Sequence, residues 1–168
     1  MEAYFDNSAT TIVTDSVKDI VVKTMTEDFG NPSAMHMVGV KAEKYIKEAQ
    51  ENIAKILKVD PKEIFFTSGG TESNNMAIIG TAMANKRKGN KIITTSVEHS
   101  SVLATMKYLE EQGFEVIYLP VDRYGVVQME ALEKEMTEDT ILVSTMYVNN
   151  EVGAIEPVGK IGQYIKKV

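Results

Sequence analysis

The feature that most narrows what this chain can fold into is an alternation. Three short runs rich in β-formers, 91–95, 115–119 and 140–146, are each followed by a stretch whose apolar residues recur at helical spacing. Upstream, Ile64-Phe65-Phe66 reads as a further short buried strand leading to Gly69-Gly70 and a helix through Met76, Ile78, Ile79 and Met83. Strands alternating with helices predict an α/β fold, a three-layer, mostly parallel sheet with flanking helices. In such sheets ligands gather at the carboxyl ends of the strands. Three polar groups fall there: Gly70-Thr71, His99 and Asn149-Asn150-Glu151.

The stretch Thr67-Ser68-Gly69-Gly70-Thr71-Glu72-Ser73-Asn74-Asn75 joins the first of these strands to its helix. Two readings of it stand side by side. In one, the glycines expose backbone N–H groups at a helix start, where the dipole and the Thr71 hydroxyl suit a phosphate. In the other, Gly70 relieves backbone strain in a turn and Thr71 caps the helix. Neither the P-loop nor the dinucleotide glycine pattern is present.

Before this stretch, a helix starts after Thr14 or Asp15 and carries Val17, Ile20, Val21 and Met25 on one face. Gly30-Asn31-Pro32-Ser33 is a turn, and a long amphipathic helix follows through Ala42, Tyr45, Ile46, Ala49, Ile53, Ile56 and Leu57. Asp60-Pro61 ends it. Later in the chain, Gly113 closes a helix over 101–112, a short helix spans 129–136, and a polar loop over 149–157 precedes a last helix from Val158.

The 168 residues suffice for one core, and a net charge of −6 argues against a nucleic-acid or anionic-membrane partner. The one basic cluster, Lys86-Arg87-Lys88, falls at a helix end, where it complements the dipole. No apolar run approaches a membrane span and Met1-Glu2-Ala3 opens no signal peptide, so a cytoplasmic protein is expected. With no cysteine there is no disulfide, zinc-thiolate site or thiol nucleophile within these residues.

His99 admits two roles. It is a general base or a ring stacked on a cofactor, or it is a helix-start histidine bonded to nearby backbone. His36, just past the Gly30-Asn31-Pro32 turn, suits a surface or loop-bracing role. The two histidines lie far apart and neither has a ligand partner at i+4, so no metal site is expected. Glu72 and Glu151 pair only if the fold brings them together, and Glu72 alone suits a helix start. Ser68, Ser73, Ser100 and Ser101 are too numerous to separate, and none sits in a nucleophile elbow. Asn149-Asn150 either donates to a ligand or satisfies its own loop.

Five segments, taken in order, carry a resemblance. They are Phe5-Asp6-Asn7-Ser8-Ala9-Thr10-Thr11; Gly30-Asn31-Pro32-Ser33 with His36 and Gly39; Phe66-Thr67-Ser68-Gly69-Gly70-Thr71-Glu72-Ser73-Asn74-Asn75; Glu98-His99; and Val148-Asn149-Asn150-Glu151-Val152-Gly153. Together they resemble the cysteine desulfurase family, class V aminotransferase-like, fold-type I enzymes that use pyridoxal 5'-phosphate (PLP). The resemblance implies that Gly70 and Thr71 hold the cofactor phosphate. It implies that His99 stacks on the pyridine ring and assists proton transfer, and that Asn150 lies by the cofactor's phenolic oxygen. It further implies a homodimer, or a complementing C-terminal half, with L-cysteine as substrate. Alanine and enzyme-bound sulfur are the products, the sulfur passing to an acceptor or scaffold protein in iron–sulfur cluster assembly or thiolation.

The resemblance covers only the N-terminal part of such an enzyme. The family's pyridinium-pairing aspartate, its Schiff-base lysine and its persulfide cysteine would all follow Val168. The expectation is therefore a chain cut within a repeating unit (a truncated product, an interrupted frame or half of a split enzyme), inactive alone and exposing an apolar sheet edge. Residues 1–14 would belong to the small domain and 15–168 to an incomplete PLP-binding large domain. The alternatives are another class V enzyme, a selenocysteine lyase or aminotransferase, and a non-catalytic chain.

Overall fold

The computed structural model describes residues 3–167; Met1, Glu2 and Val168 lie outside the described residues. The chain divides into two compact units, 1–66 and 67–168.

The first unit is two helices and their connections. Helix α1 is Asp15–Thr26 and α2 is Met37–Leu57. His36 caps α2, its Nδ1 accepting the Gly39 N–H at 3.2 Å, so the loop-bracing role expected of it is the one it plays. Lys58 stops the helix in the left-handed region, at φ 58°. A single 3-10 turn, Pro61–Glu63, then follows with a reciprocal capping box between Asp60 and Glu63. Few side chains here are buried, and α1 buries none. What organises the unit is polar. Asp28 is only 3% exposed. Its carboxylate accepts from Tyr45 Oη at 2.6 Å and meets Lys41 Nζ at 2.5 Å. These contacts hold the Asp28 carboxyl below the ordinary range, Lys41 contributing most, and raise the Lys41 ammonium in return. Gly39 sits where the chain closes on itself: a Cβ there would lie 2.3 Å from the Ala34 carbonyl oxygen. That contact explains the glycine.

The strand expected at Ile64-Phe65-Phe66 is not formed. Its backbone is committed elsewhere, because the Ile64 N–H bonds to Pro61 O and its carbonyl accepts from Gln50 Nε2 at 3.0 Å. Phe65 and Phe66 are exposed and pair with no strand.

The second unit is an α/β/α sandwich. Helix α3 (Gly70–Asn85) is followed by β1 (Lys91–Thr95), α4 (Ser100–Glu111), β2 (Glu115–Leu119), α5 (Met129–Glu135), β3 (Thr140–Ser144) and α6 (Val158–Ile165). The three strands are parallel, in the order β2-β1-β3. Successive side chains of β1 point to opposite faces. Ile92 packs with Ile78 and Ala82 of α3 and with Val102, Met106 and Leu109 of α4. Ile93 packs on the other face with Leu132 of α5 and Ile161 of α6. The β1–α4–β2 crossover therefore runs over one face and the β2–α5–β3 crossover over the other. The chain leaves β1 toward one face and leaves β3 toward the opposite one. This makes the crevice beyond their carboxyl ends the switch point of the sheet, the position where such folds take ligands.

Strand β3 ends at Ser144, two residues before the expected end at Met146, since the Met146 N–H leaves the ladder for a side chain of the site.

Asp28 offers a direct test of the first unit. A carboxyl whose folded pKa is depressed stabilises above its unfolded pKa, and the contribution vanishes as pH falls through the folded value. Asp28→Asn should therefore be less stable than the parent chain at neutral pH, and the gap should close only as pH falls below the ordinary carboxylate range. Denaturant melts followed by circular dichroism across this range measure it; a gap independent of pH contradicts the assignment.

Candidate functional site

The site is built at the start of α3, the start of α4 and the loop after β3, all within the second unit.

At α3 the N-cap is Gly69, with no side-chain cap, so Thr71 lies inside the first turn and is not the cap. Nor does either glycine relieve strain. Gly69 is extended (φ 168°) and Gly70 is helical. A Cβ at position 69 or 70 would meet nothing within 4 Å. Space is therefore open around Gly69 and Gly70, and the N–H groups of Gly70, Thr71 and Glu72 have no partner in the helix ladder. The turn is braced from behind. Glu72 Oε2 accepts from both the N–H and the hydroxyl of Ser68, each at 2.6 Å, and these bonds lower its pKa. The Thr67 and Ser73 hydroxyls meet at 2.6 Å.

His99 is the N-cap of α4. Its Nδ1 accepts from the Ser101 N–H at 3.1 Å and lies 2.8 Å from Ser101 Oγ. The backbone-bonded role is thus realised, and it leaves the exposed ring edge free for a second one. Ser101 Oγ in turn accepts from Asn74 Nδ2 at 2.9 Å. This chain of bonds ties the start of α3 to the start of α4.

Between β1 and β3 the connection is made by Glu98, a buried carboxyl. Its Oε1 accepts from Thr95 Oγ1 at 2.9 Å and from the Met146 N–H at 2.7 Å. Asn149, also buried, reinforces it by donating from Nδ2 to Val97 O at 3.0 Å. The Oδ1 of Asn149 accepts the N–H groups of Glu151 and Val152 at 2.9 and 3.0 Å. Asn149 therefore satisfies its own loop, and Asn150 is left exposed at the tip, donating from Nδ2 to Glu151 Oε1 at 2.7 Å. A second buried acid, Glu156, holds the base of the loop through Val127 N–H at 2.9 Å, with its Oε1 unpartnered among the described residues. Desolvation raises the Glu98 pKa, and the charge of Glu156 adds to the effect, outweighing the two bonds that favour the ionised form.

Residues 3–168 match the model of the aminotransferase class-V family. The chain belongs to that family. Among relatives of this class-V chain, cysteine desulfurase IscS of Clostridium botulinum (strain Hall) is 47% identical over 166 residues, 99% of this chain and 42% of that protein. The cysteine desulfurase IscS of Methanosarcina thermophila is 49% identical over 164 residues, 98% of this chain and 41% of that protein. A solved structure described as a NifS-like protein superposes with a TM-score of 0.95 at 48% identity, covering 99% of this chain and 46% of that one. SspA in complex with cysteine gives 0.91 at 38% identity, with 98% and 47% covered. The chain thus spans less than half the length of the relatives it matches. The fold-type I architecture expected from sequence is the one these structures share with the class-V chain.

The structure groups Gly70, Thr71, His99 and Asn150 at one end of one unit, tied by side-chain bonds. Glu72 and Glu151 form no pair, since each bonds to its own turn. Sequence reasoning missed Glu98, Asn74, Ser101 and Asn149 as the residues that tie the site together. For Ser101 a signal existed: a small hydroxyl residue two positions after a helix-start histidine, at N2, the N–H that an N-cap side chain binds. No helix among the described residues is long and apolar enough to cross a membrane, and none of their acidic and histidine side chains cluster as a metal site.

Glu98 yields two opposed expectations. Glu98→Ala leaves the half-buried Met146 N–H without its acceptor and should cost about 1–3 kcal/mol. Glu98→Gln keeps an acceptor oxygen for both donors and should be close to neutral. It should also remove a pH dependence: a carboxyl with a raised folded pKa loses stabilisation as pH climbs from the ordinary carboxylate value through the folded one. Chemical denaturation of both variants between acid and neutral pH measures this; equal losses for Ala and Gln contradict the bracket.

Proposed function

We propose that this chain forms the cofactor-facing N-terminal part of a PLP-dependent cysteine desulfurase. The observation that carries the reading is the open start of α3. Three backbone donors without a ladder partner and the exposed Thr71 stand at a helix start with open space around Gly69 and Gly70, and α4 starts with the exposed His99. That donor set fits a phosphate dianion, which a helix N-terminus receives without a cationic side chain. The similarity to cysteine desulfurases of the IscS and NifS type supports the cofactor and the reaction class.

PLP, when bound, supplies an electron-withdrawing ring that stabilises negative charge on the substrate carbon beside the nitrogen. The residues of this chain do the holding. The N–H groups of Gly70 and Thr71 and the Thr71 hydroxyl bind the phosphate. The His99 imidazole would stack on the pyridine ring and assist proton transfer there. Asn150, exposed at the loop tip, would donate from Nδ2 to the ring oxygen. The substrate is L-cysteine, and its sulfur serves iron–sulfur cluster assembly or thiolation in the cytoplasm. Sulfur capture requires a thiolate, and these 168 residues contain no cysteine. In this reading the capturing thiol and the anchoring lysine belong to the rest of the enzyme, which works as a homodimer or with a complementing chain. Residues 1–14 go with its small domain and 15–168 with its cofactor domain.

Mixing the purified chain with PLP, reducing with borohydride and mapping the product by mass spectrometry tests this division. Saturable PLP binding that inorganic phosphate displaces, with no single lysine labelled stoichiometrically, is expected. Stoichiometric labelling of one lysine overturns the missing anchor, and absence of binding overturns the cradle. Thr71→Val should weaken PLP binding roughly ten- to a hundred-fold, the worth of one hydrogen bond to a charged group, with no change in unfolding.

A further inference from the structure

The ring of His99 is held by more than its capping bond. A backbone N–H can only donate, so the 3.1 Å contact from Ser101 N fixes Nδ1 as an acceptor, without a proton. The Ser101 hydroxyl, 2.8 Å from the same nitrogen, must then donate to it as well. Its oxygen is left to accept, and the Asn74 amide nitrogen donates to it at 2.9 Å. Every donor in this chain points the same way. Asn74 Nδ2 gives to Ser101 Oγ, Ser101 Oγ gives to His99 Nδ1, and the neutral ring must carry its proton on Nε2. Ser101 is buried and Asn74 half-buried, so water competes poorly for these bonds, whereas His99 itself is exposed.

We infer that Asn74 and Ser101 are positioning residues that lock His99 into its Nε2–H tautomer and set the plane of its ring. The inference rests on the desulfurase reading for its use but not for its geometry. Its consequence for the reaction is directional. A neutral imidazole with Nδ1 occupied has no free lone pair at an exposed atom, so the locked ring meets its neighbour as a hydrogen-bond donor from Nε2. The one lone pair that a general base would use is at Nδ1, so the general-base role open at the level of sequence requires the Ser101 bonds to Nδ1 to open first. The same bonds couple the two halves of the site. Asn74 lies one turn beyond Gly70 on α3, so the helix that receives the phosphate also holds the ring that faces the cofactor.

The test needs no bound cofactor. The chain has two histidines, and His36 caps α2 through its own Nδ1, which makes it an internal control. Long-range proton–nitrogen correlation spectra of the labelled 168-residue chain, recorded above the ordinary imidazole range, report the protonated nitrogen and the hydrogen bonding of the other. The expected result is a single Nε2–H tautomer at His99. On Ser101→Ala, the Nδ1 resonance should move toward that of an unbonded imidazole nitrogen. Asn74→Ala should move it part of the way, and Ser101→Thr should restore it. His36 should stay still throughout. Ser101→Ala retains the backbone N–H that caps α4, so a purely structural role for the hydroxyl leaves the resonance in place, and that outcome overturns the proposal. A proton on Nδ1 in the parent chain, or a mixture of tautomers, overturns it too. If Ser101→Ala fails to fold, Asn74→Ala, altered outside the cap, tests the relay through the same resonance, and an unmoved Nδ1 signal there overturns it equally. PLP binding measured separately distinguishes failure of the desulfurase reading from failure of this one.

Discussion

The site depends on one buried carboxyl. Where β1 and β3 end, the chain departs toward opposite faces of the sheet, and the backbone ladder that held the two strands together stops. Beyond that point two side-chain contacts bridge the gap, Glu98 to Met146 and Asn149 to Val97. A switch-point crevice is useful to a ligand because it is open, and by the same geometry it lacks main-chain bonds to hold its walls. Glu98 supplies the missing bond from one strand end to the other. Burying a carboxyl is costly when it is charged, which is why its pKa rises. The compensation is position: His99 is the next residue, and the loop carrying Asn150 starts at the other end of the same bracket.

The two units illustrate different ways of organising helices. In the second, two apolar clusters lie on either side of β1, and burial of Ile92, Ile93, Met106, Leu109 and Leu132 supplies the hydrophobic stabilisation. In the first, α1 buries no side chain, and the order comes from Asp28 with Lys41 and Tyr45 and from the tight passage at Gly39. Such polar order should respond to acid and salt more than to core mutations.

Much of the second unit was legible in the sequence because its signals are local. β-Branched residues marked β1 and β3, Gly113 took the positive φ that ends α4, and the helical periodicities fell where helices are. Ile64-Phe65-Phe66 misled for the opposite reason. Its composition is that of a strand, yet a strand exists only through a partner, and the neighbouring turn and Gln50 took the Ile64 backbone groups first. The candidate residues Gly70, Thr71, His99 and Asn150 were visible as polar groups at strand ends. Their supports were not, because Glu98 to Met146 spans 48 positions and Asn74 to Ser101 spans 27. Periodicity carries no information about contacts at that range. Of the two readings of the glycine pair, strain relief with Thr71 as cap is the one overturned, since neither Gly69 nor Gly70 is strained and space remains around both.

The proposed function rests on the open start of α3 receiving a phosphate group beside His99. Titrating the labelled chain with inorganic phosphate, and then with PLP, while following backbone amide resonances puts this to the test at the residues concerned. Saturable shifts concentrated at Gly70, Thr71 and Glu72 are expected for both ligands, joined by the His99 ring for PLP alone. Shifts centred elsewhere, or a His99 ring indifferent to PLP, would refute it.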